Sequence, residues 1–159
     1  MRLRRPIRLP GVPYVGYFGY SLRFGTLHRL RHFTDAALIR DALMQIQRTC
    51  DEYGFALIAY CFMPDHVHLA VEGRTADSDL RRFVKVAKQR VAYRARTQFA
   101  IPAIWQAGYY ERIVRFQGMD NLIRYILNNP VRAGLVERAE EYPFSGLAGG
   151  PDKARPTSV

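Results

Sequence analysis

Hydrophobic and polar positions change period several times along the chain, and each change marks an element. Residues 14–24 (YVGYFGYSLRF) are aromatic and β-prone, which predicts a first strand interrupted by glycines. Thr34 and Asp35 are good N-cap residues. After them Ile39, Ala42, Leu43, Ile46 and Cys50 recur at helical spacing until Gly54 stops the pattern. Residues 55–63 form a short apolar run without Gly or Pro, the signature of a strand buried on both faces. A turn at Pro64 and Asp65 follows, and then strict alternation: Val67, Leu69 and Val71 fall on one face, His66, His68 and Ala70 on the other. So short a link predicts that these two strands pair as an antiparallel hairpin.

Further on, Leu80, Phe83, Val84, Ala87 and Val91 share one face of a helix expected over 77–97, whose other face carries Arg81, Lys85 and Lys88. Residues 109–115 (YYERIVR) read as another strand. Residues 119–128 read as a third helix, capped by Asp120 and stopped by Pro130. The order of the first six elements, βαββαβ, predicts an α+β fold: a ferredoxin-like antiparallel sheet with helices on one face, plus a C-terminal helix. Residues 131–147 have no clear period and are expected to pack back as turns. Three prolines and four arginines within 1–13 suggest a flexible basic arm, and 148–159 suggest a loose tail, leaving one domain over 14–147.

Composition adds a partner to this picture. The chain has 159 residues, 48% of them apolar, enough for a sizeable core, yet its formal net charge is +10 and its pI about 10.1. That excess points to a polyanion. The charge is also clustered. No carboxylate lies between Asp79 and Glu111, where Arg81, Arg82, Lys85, Lys88, Arg90, Arg94 and Arg96 all fall, and Arg2, Arg4, Arg5 and Arg8 open the chain. With no apolar run of about 18 residues and no apolar core near the N-terminus, a soluble, cytoplasmic, nucleoid-associated protein is expected. Cys50 and Cys61 lack metal-ligand spacing and read as buried thiols.

Two of the four histidines, His66 and His68, point the same way from one strand, roughly 6.5–7 Å apart along the backbone. They could converge on a divalent ion and leave positions open for substrate; the plainer reading is a half-buried, hydrogen-bonded pair. His28 and His32 lie on a polar connection and read as surface residues. On the third helix, Tyr125 and Asn129 are four residues apart and share a face. An Asn oxygen is a hard ligand, and a phenol, with its pKa near 10, needs help to act as a nucleophile. Alternatively Tyr125 is a core aromatic and Asn129 a helix cap.

Four ordered motifs sharpen the choice. His66-Val67-His68 after Met-Pro, Trp105-Gln106, YYERIVR from Tyr109, and YILNNPVRAGLV from Tyr125 resemble the HUH single-tyrosine transposases, in particular the REP-associated subgroup, and Tyr142-Pro143-Phe144-Ser145 is similar to that subgroup's tail. The resemblance spans about 17–145. It implies a transposase and endonuclease that cuts and rejoins single-stranded hairpin DNA through a covalent 5′-phosphotyrosine, with no ATP. It further implies that His66, His68 and Asn129 hold Mg²⁺ or Mn²⁺ and that Tyr125 is the nucleophile. Arg2, Arg4, Arg5, Arg81, Arg82, Lys85 and Lys88 are then candidates for phosphate contacts, and Trp105 for base stacking.

Some details depart from the pattern. Asp65 stands where the family favours Asn or Glu, as a turn substitution or a further contact at the metal site. The general base for Tyr125 is not evident. Tyr109 and Tyr110 are rival nucleophiles, but their strand position suggests packing or stacking. Two other functions compete: a catalytically silent binder of hairpin DNA, and an unrelated metal-dependent hydrolase or oxidoreductase using the HxH pair. Whether the site works in a monomer or a homodimer stays open.

Overall fold

Asp35 accepts a hydrogen bond from the Ala37 N–H, and Gly54 closes the same helix in the left-handed conformation (φ 75°), so the first helix starts and stops where its punctuation residues stand. A computed structural model of the protein describes residues 14–114 and 118–148. The arm expected over 1–13, with Arg2, Arg4 and Arg5, lies outside the described residues, as does most of the expected tail. The elements are β1 (Gly19–Gly25), α1 (Ala36–Tyr53), β2 (Phe55–Met63), β3 (His66–Gly73), α2 (Leu80–Phe99), β4 (Tyr110–Val114), α3 (Met119–Leu127), α4 (Asn129–Arg132) and β5 (Ser145–Leu147).

The five strands form one antiparallel sheet in the order β4-β1-β3-β2-β5. The first four strands carry the ferredoxin-like arrangement expected from the element order. Helices α1 and α2 pack on one face, where Tyr20, Leu22, Phe24, Phe62, Leu69 and Phe83 are fully buried. Helix α3 lies on the other face, over a floor of small and flexible side chains: Ala59, Cys61, Met63 and Ala70. None of the helices among the described residues is long and apolar enough to cross a membrane.

Strand β2 serves both faces through a bulge. Leu57 pairs with Val71 and Ala59 with Ala70, so Ile58 is an extra residue on this strand. Without Ile58 the strand reads Phe-Ala-Leu-Ala-Tyr-Cys-Phe-Met, large residues toward α1 and α2 and, Met63 apart, small ones toward α3. The inserted Ile breaks that large–small alternation, so the run shows no period of two in the sequence.

Four expectations change. The first strand begins at Gly19 instead of residue 14. Gly16 adopts φ 114° and turns 14–16 away to follow the start of α2, where the Leu80 N–H donates to the Tyr14 carbonyl. Asp120 does not cap α3; Gly118 holds the cap position and Asp120 sits in the first turn, where its charge still suits the helix dipole. Pro130 does not end the helical path but sits in the first turn of α4, where a missing N–H costs nothing. Residues 131–147, expected as turns, include the end of α4 and the edge strand β5.

Candidate functional site

The register of the sheet assembles the site. Tyr110, Arg23, His68 and Cys61 lie side by side across β4, β1, β3 and β2, and directly opposed residues share a face. His66 stands two residues closer to the hairpin turn, between Gly25 and Met63. The two imidazole centroids are 4.8 Å apart. Helix α3 spans this face with Ile126 fully buried against the floor, and its neighbour Tyr125 projects out, 54% exposed. The Tyr125 ring meets His68 edge-on at 6.3 Å between centroids. Arg132 lies over the phenol ring at 3.9 Å and donates from Nη2 to the Tyr125 carbonyl at 2.8 Å.

Thus His66, His68 and Tyr125 come together from segments some sixty residues apart. Asn129, the first residue of α4, is placed one turn after Tyr125 with its amide Nδ2 buried and unpartnered, and it makes no hydrogen bond to either imidazole. Among the described residues no group of three or more His, Cys, Asp or Glu side chains is arranged to hold a metal. Two neutral imidazoles would therefore need oxygen donors, and the orphaned amide, once turned over, has one to offer. Two imidazoles and one amide oxygen could serve a divalent cation whose remaining positions phosphate and water would fill.

Burial favours neutral imidazoles. For His68, burial comes first, then the charges of His66, Arg23 and Arg132, and together they push its pKa down to about 3. His66 is also lowered, by burial first, against an opposing hydrogen bond from its Nδ1 to the Asp65 carboxylate at 2.6 Å. With His66 neutral at pH 7, that contact is a charge-assisted hydrogen bond and not an ion pair.

A stability prediction follows from His68. Its folded pKa is below the unfolded value near 6.5, so between about 3 and 6.5 the unfolded chain binds more protons, and stability is lost as pH falls through that window. Melting temperature is expected to drop on acidification below about pH 6.5, and His68→Gln, which cannot titrate, should flatten the decline. An unchanged slope in that variant would remove His68 as its cause.

The basic helix lies elsewhere. Arg81, Arg82, Lys85 and Lys88 belong to α2, on the sheet face opposite the histidines. Arg81 stacks on Tyr14 at 4.3 Å, Arg82 approaches Tyr53 at 5.8 Å, and Lys85 is exposed. The carboxylates missing from this stretch of sequence are supplied by α1: Arg90 pairs with Glu52 at 2.6 Å and Arg94 chelates Asp41. Lys88 is half-buried, with its ammonium donating to the Gln106 and Gly108 carbonyls, and burial lowers its pKa to about 8. Trp105 is half-buried too, packed on Phe24 and Phe33 and donating from Nε1 to the Lys88 carbonyl. His28 is exposed as expected, whereas His32 is partly buried; both cysteines are buried free thiols, as expected.

On the site face itself a groove of about 740 Å³ runs between β4 and α3, lined by Arg23, His68, Tyr110, Arg112, Asn121 and Tyr125 among others. Arg23, Arg112 and Arg132 are positive charges that pattern reading did not single out. Alternation along β1 could have put Arg23 on a polar face, but only the register sets it beside His68. Tyr109 packs edge-on against Phe24, whereas Tyr110 is half-exposed in the groove wall under Arg23.

Comparison with known proteins supplies a context for this arrangement. The family model described as IS200-like transposase matches residues 18–129. A Haemophilus influenzae protein described as a candidate REP-associated tyrosine transposase is 27% identical over 114 residues, covering 64% of each chain. An Escherichia coli K12 REP-associated tyrosine transposase is 24% identical over 113 residues, covering 70% of this chain and 64% of its own. The chain thus spans just under two thirds of either curated relative. Among solved structures, a REP-associated tyrosine transposase bound to a REP hairpin superposes with a TM-score of 0.72 at 20% identity, covering 87% of this chain and 82% of the other. A candidate transposase from Deinococcus radiodurans gives 0.56 at 24% identity, covering 76% and 96%. Both structures share the fold described above.

Proposed function

Since the chain belongs to the IS200-like transposase family, we propose that it cuts and rejoins single-stranded DNA at hairpin-containing repeats, with Tyr125 as the nucleophile. The observation that carries this reading is the placement of an exposed Tyr125 edge-on to His68, beside His66. REP hairpins are the model for the substrate, because one structural relative is described as bound to such a hairpin. The proposed setting is the cytoplasm, at the nucleoid.

His66, His68 and Asn129 would hold Mg²⁺ or Mn²⁺, which when bound would supply Lewis-acid polarisation of a phosphate oxygen and positive charge for in-line displacement. The protein's own part is positioning. Tyr125 presents its hydroxyl from the solvent side of α3; its oxygen forms the new bond to phosphorus as the bond to the 3′ oxygen breaks. The phenolic proton ends, overall, on the released 3′-OH. Arg23 beside His68 and Arg132 over the phenol add positive charge where the phosphate would sit. The 5′-phosphotyrosine conserves the bond energy, so a 3′-OH can reverse the step and rejoin strands.

The test is strand polarity. A hairpin oligonucleotide labelled 3′ of the cut should migrate with the protein on a denaturing gel in Mn²⁺, and the 5′ piece should be released with an end that a polymerase extends. Label retained only on the 5′ piece would rule out the 5′-phosphotyrosine mechanism.

A further inference from the structure

Asp65 has no part in the chemistry proposed so far, yet it is held from several directions. Its Oδ1 lies 2.6 Å from His66 Nδ1, and its Oδ2 lies 3.3 Å from Arg29 Nε. Its carbonyl accepts the Thr26 N–H at 2.9 Å, and the carbonyl of Pro64 beside it accepts the Phe33 N–H at 3.0 Å. The hydroxyl of the fully buried Thr26 lies 2.7 Å from the Leu30 carbonyl and 3.0 Å from the Asp65 carbonyl; its single proton can serve only one fully. The connection from β1 to α1 is thereby stapled to the hairpin turn that leads into the histidines.

That connection contains an unusual backbone. His28 and Arg29 both have φ 55°, two consecutive left-handed residues without a glycine. Each such residue is strained and persists only where its surroundings demand it. Arg29 is not what demands it, because its side chain is 82% exposed and an ion pair there contributes little. The buried bonds from Thr26 and Phe33 hold the turn, and Arg29 adds a charge beside the Asp65 carboxylate.

We infer that Asp65 is a positioning residue for His66: by accepting the Nδ1 proton it fixes the tautomer and ring orientation in which Nε2 is the bare nitrogen offered to a metal ion. Carboxylate partners of this kind raise ligand basicity, and their loss typically weakens metal binding by about 10–100-fold. Asp65 is not itself offered as a ligand, since Oδ1 is spent on the imidazole. The inference rests on the metal-binding role proposed for His66 and His68.

The test uses the full chain, ¹⁵N-labelled and metal-free. Long-range proton–nitrogen spectra report which ring nitrogen of each histidine carries the proton. In the wild type His66 should be protonated on Nδ1. In Asp65→Ala it should shift toward the Nε2–H form, with His68 unchanged, and Mn²⁺ binding, read from the signal of the free ion, should weaken about 10–100-fold. An Nε2–H form of His66 in the wild type overturns the inference without any variant. So does Nδ1 protonation, or Mn²⁺ affinity, that survives Asp65→Ala unchanged. A wild type with the expected tautomer but no Mn²⁺ binding overturns the metal reading itself.

Discussion

Tyr125→Phe is expected to bind hairpin DNA as the wild type does and to form no covalent adduct. The substitution removes one exposed oxygen. The ring that meets His68 edge-on and lies under Arg132 remains, so α3 should keep its seat and stability should change by less than about 0.5 kcal/mol. Chemistry is affected differently, because the phenylalanine ring has no oxygen with which to form the phosphotyrosine bond. Adduct yield should fall by at least about 10³-fold, to the level of background. Gel-shift affinity and a denaturing gel, run on the same samples, separate the two effects. A band that persists in the variant would transfer the nucleophile to Tyr110, half-exposed in the same groove, ahead of Tyr109, which is packed against Phe24.

The second large effect is expected from packing. Ala70 is fully buried beneath α3, next to His68 on the same strand and facing Ala59 and Ser21 across the sheet. Helix α3 has only nine residues and one fully buried side chain, Ile126, so its height above the sheet is set by the small residues of the floor. Ala70→Leu inserts three carbons there, at a cost of about 1–3 kcal/mol. The helix is the element able to yield, and lifting it carries Tyr125 away from His68. A displacement of about 1 Å at a reacting group can cost on the order of 10²-fold in rate. Adduct formation should fall by about that much at a temperature where the variant remains folded, while DNA binding persists. Ala87→Leu is the control, since Ala87 is equally buried on the far face. If both variants lose activity only in proportion to their unfolding, the floor does not set the geometry of the site.

Local patterns in the sequence were enough to locate most elements and the histidine pair. Asp35 and Gly54 bracket α1, and alternation from His66 onward puts both imidazoles on one face, because periods of 3.6 and 2 are properties of a single segment. What escaped were relations between segments. Arg90 and Arg94 read as unpaired because their acidic partners, Glu52 and Asp41, lie 38 and 53 positions away on another helix. Arg23 became a site residue only when the register set it opposite His68. The Tyr125–Asn129 spacing was legible as one turn of helix, but that turn crosses the junction of α3 and α4, and the orphaned amide of Asn129 is visible only in three dimensions. The large-small alternation of β2 was obscured by one extra residue, Ile58.

The shortest strand has a consequence for the solution behaviour of the protein. β5 has three residues, yet it pairs with Ala59, Tyr60 and Cys61, and flanking bonds run from the Phe62 N–H to the Phe144 carbonyl and from the Ala148 N–H to the Ile58 carbonyl. The buried Tyr142 hydroxyl donates to the Phe62 carbonyl and anchors the approach. Together they cap the open side of FALIAYCFM, nine residues without a charge, a proline or a glycine. Bared, such a run is a template on which other chains can stack as cross-β aggregates. The last strand of the sheet therefore acts as a guard against aggregation, and a chain cut before Ser145 would lose solubility for reasons that have nothing to do with the histidines or the tyrosine.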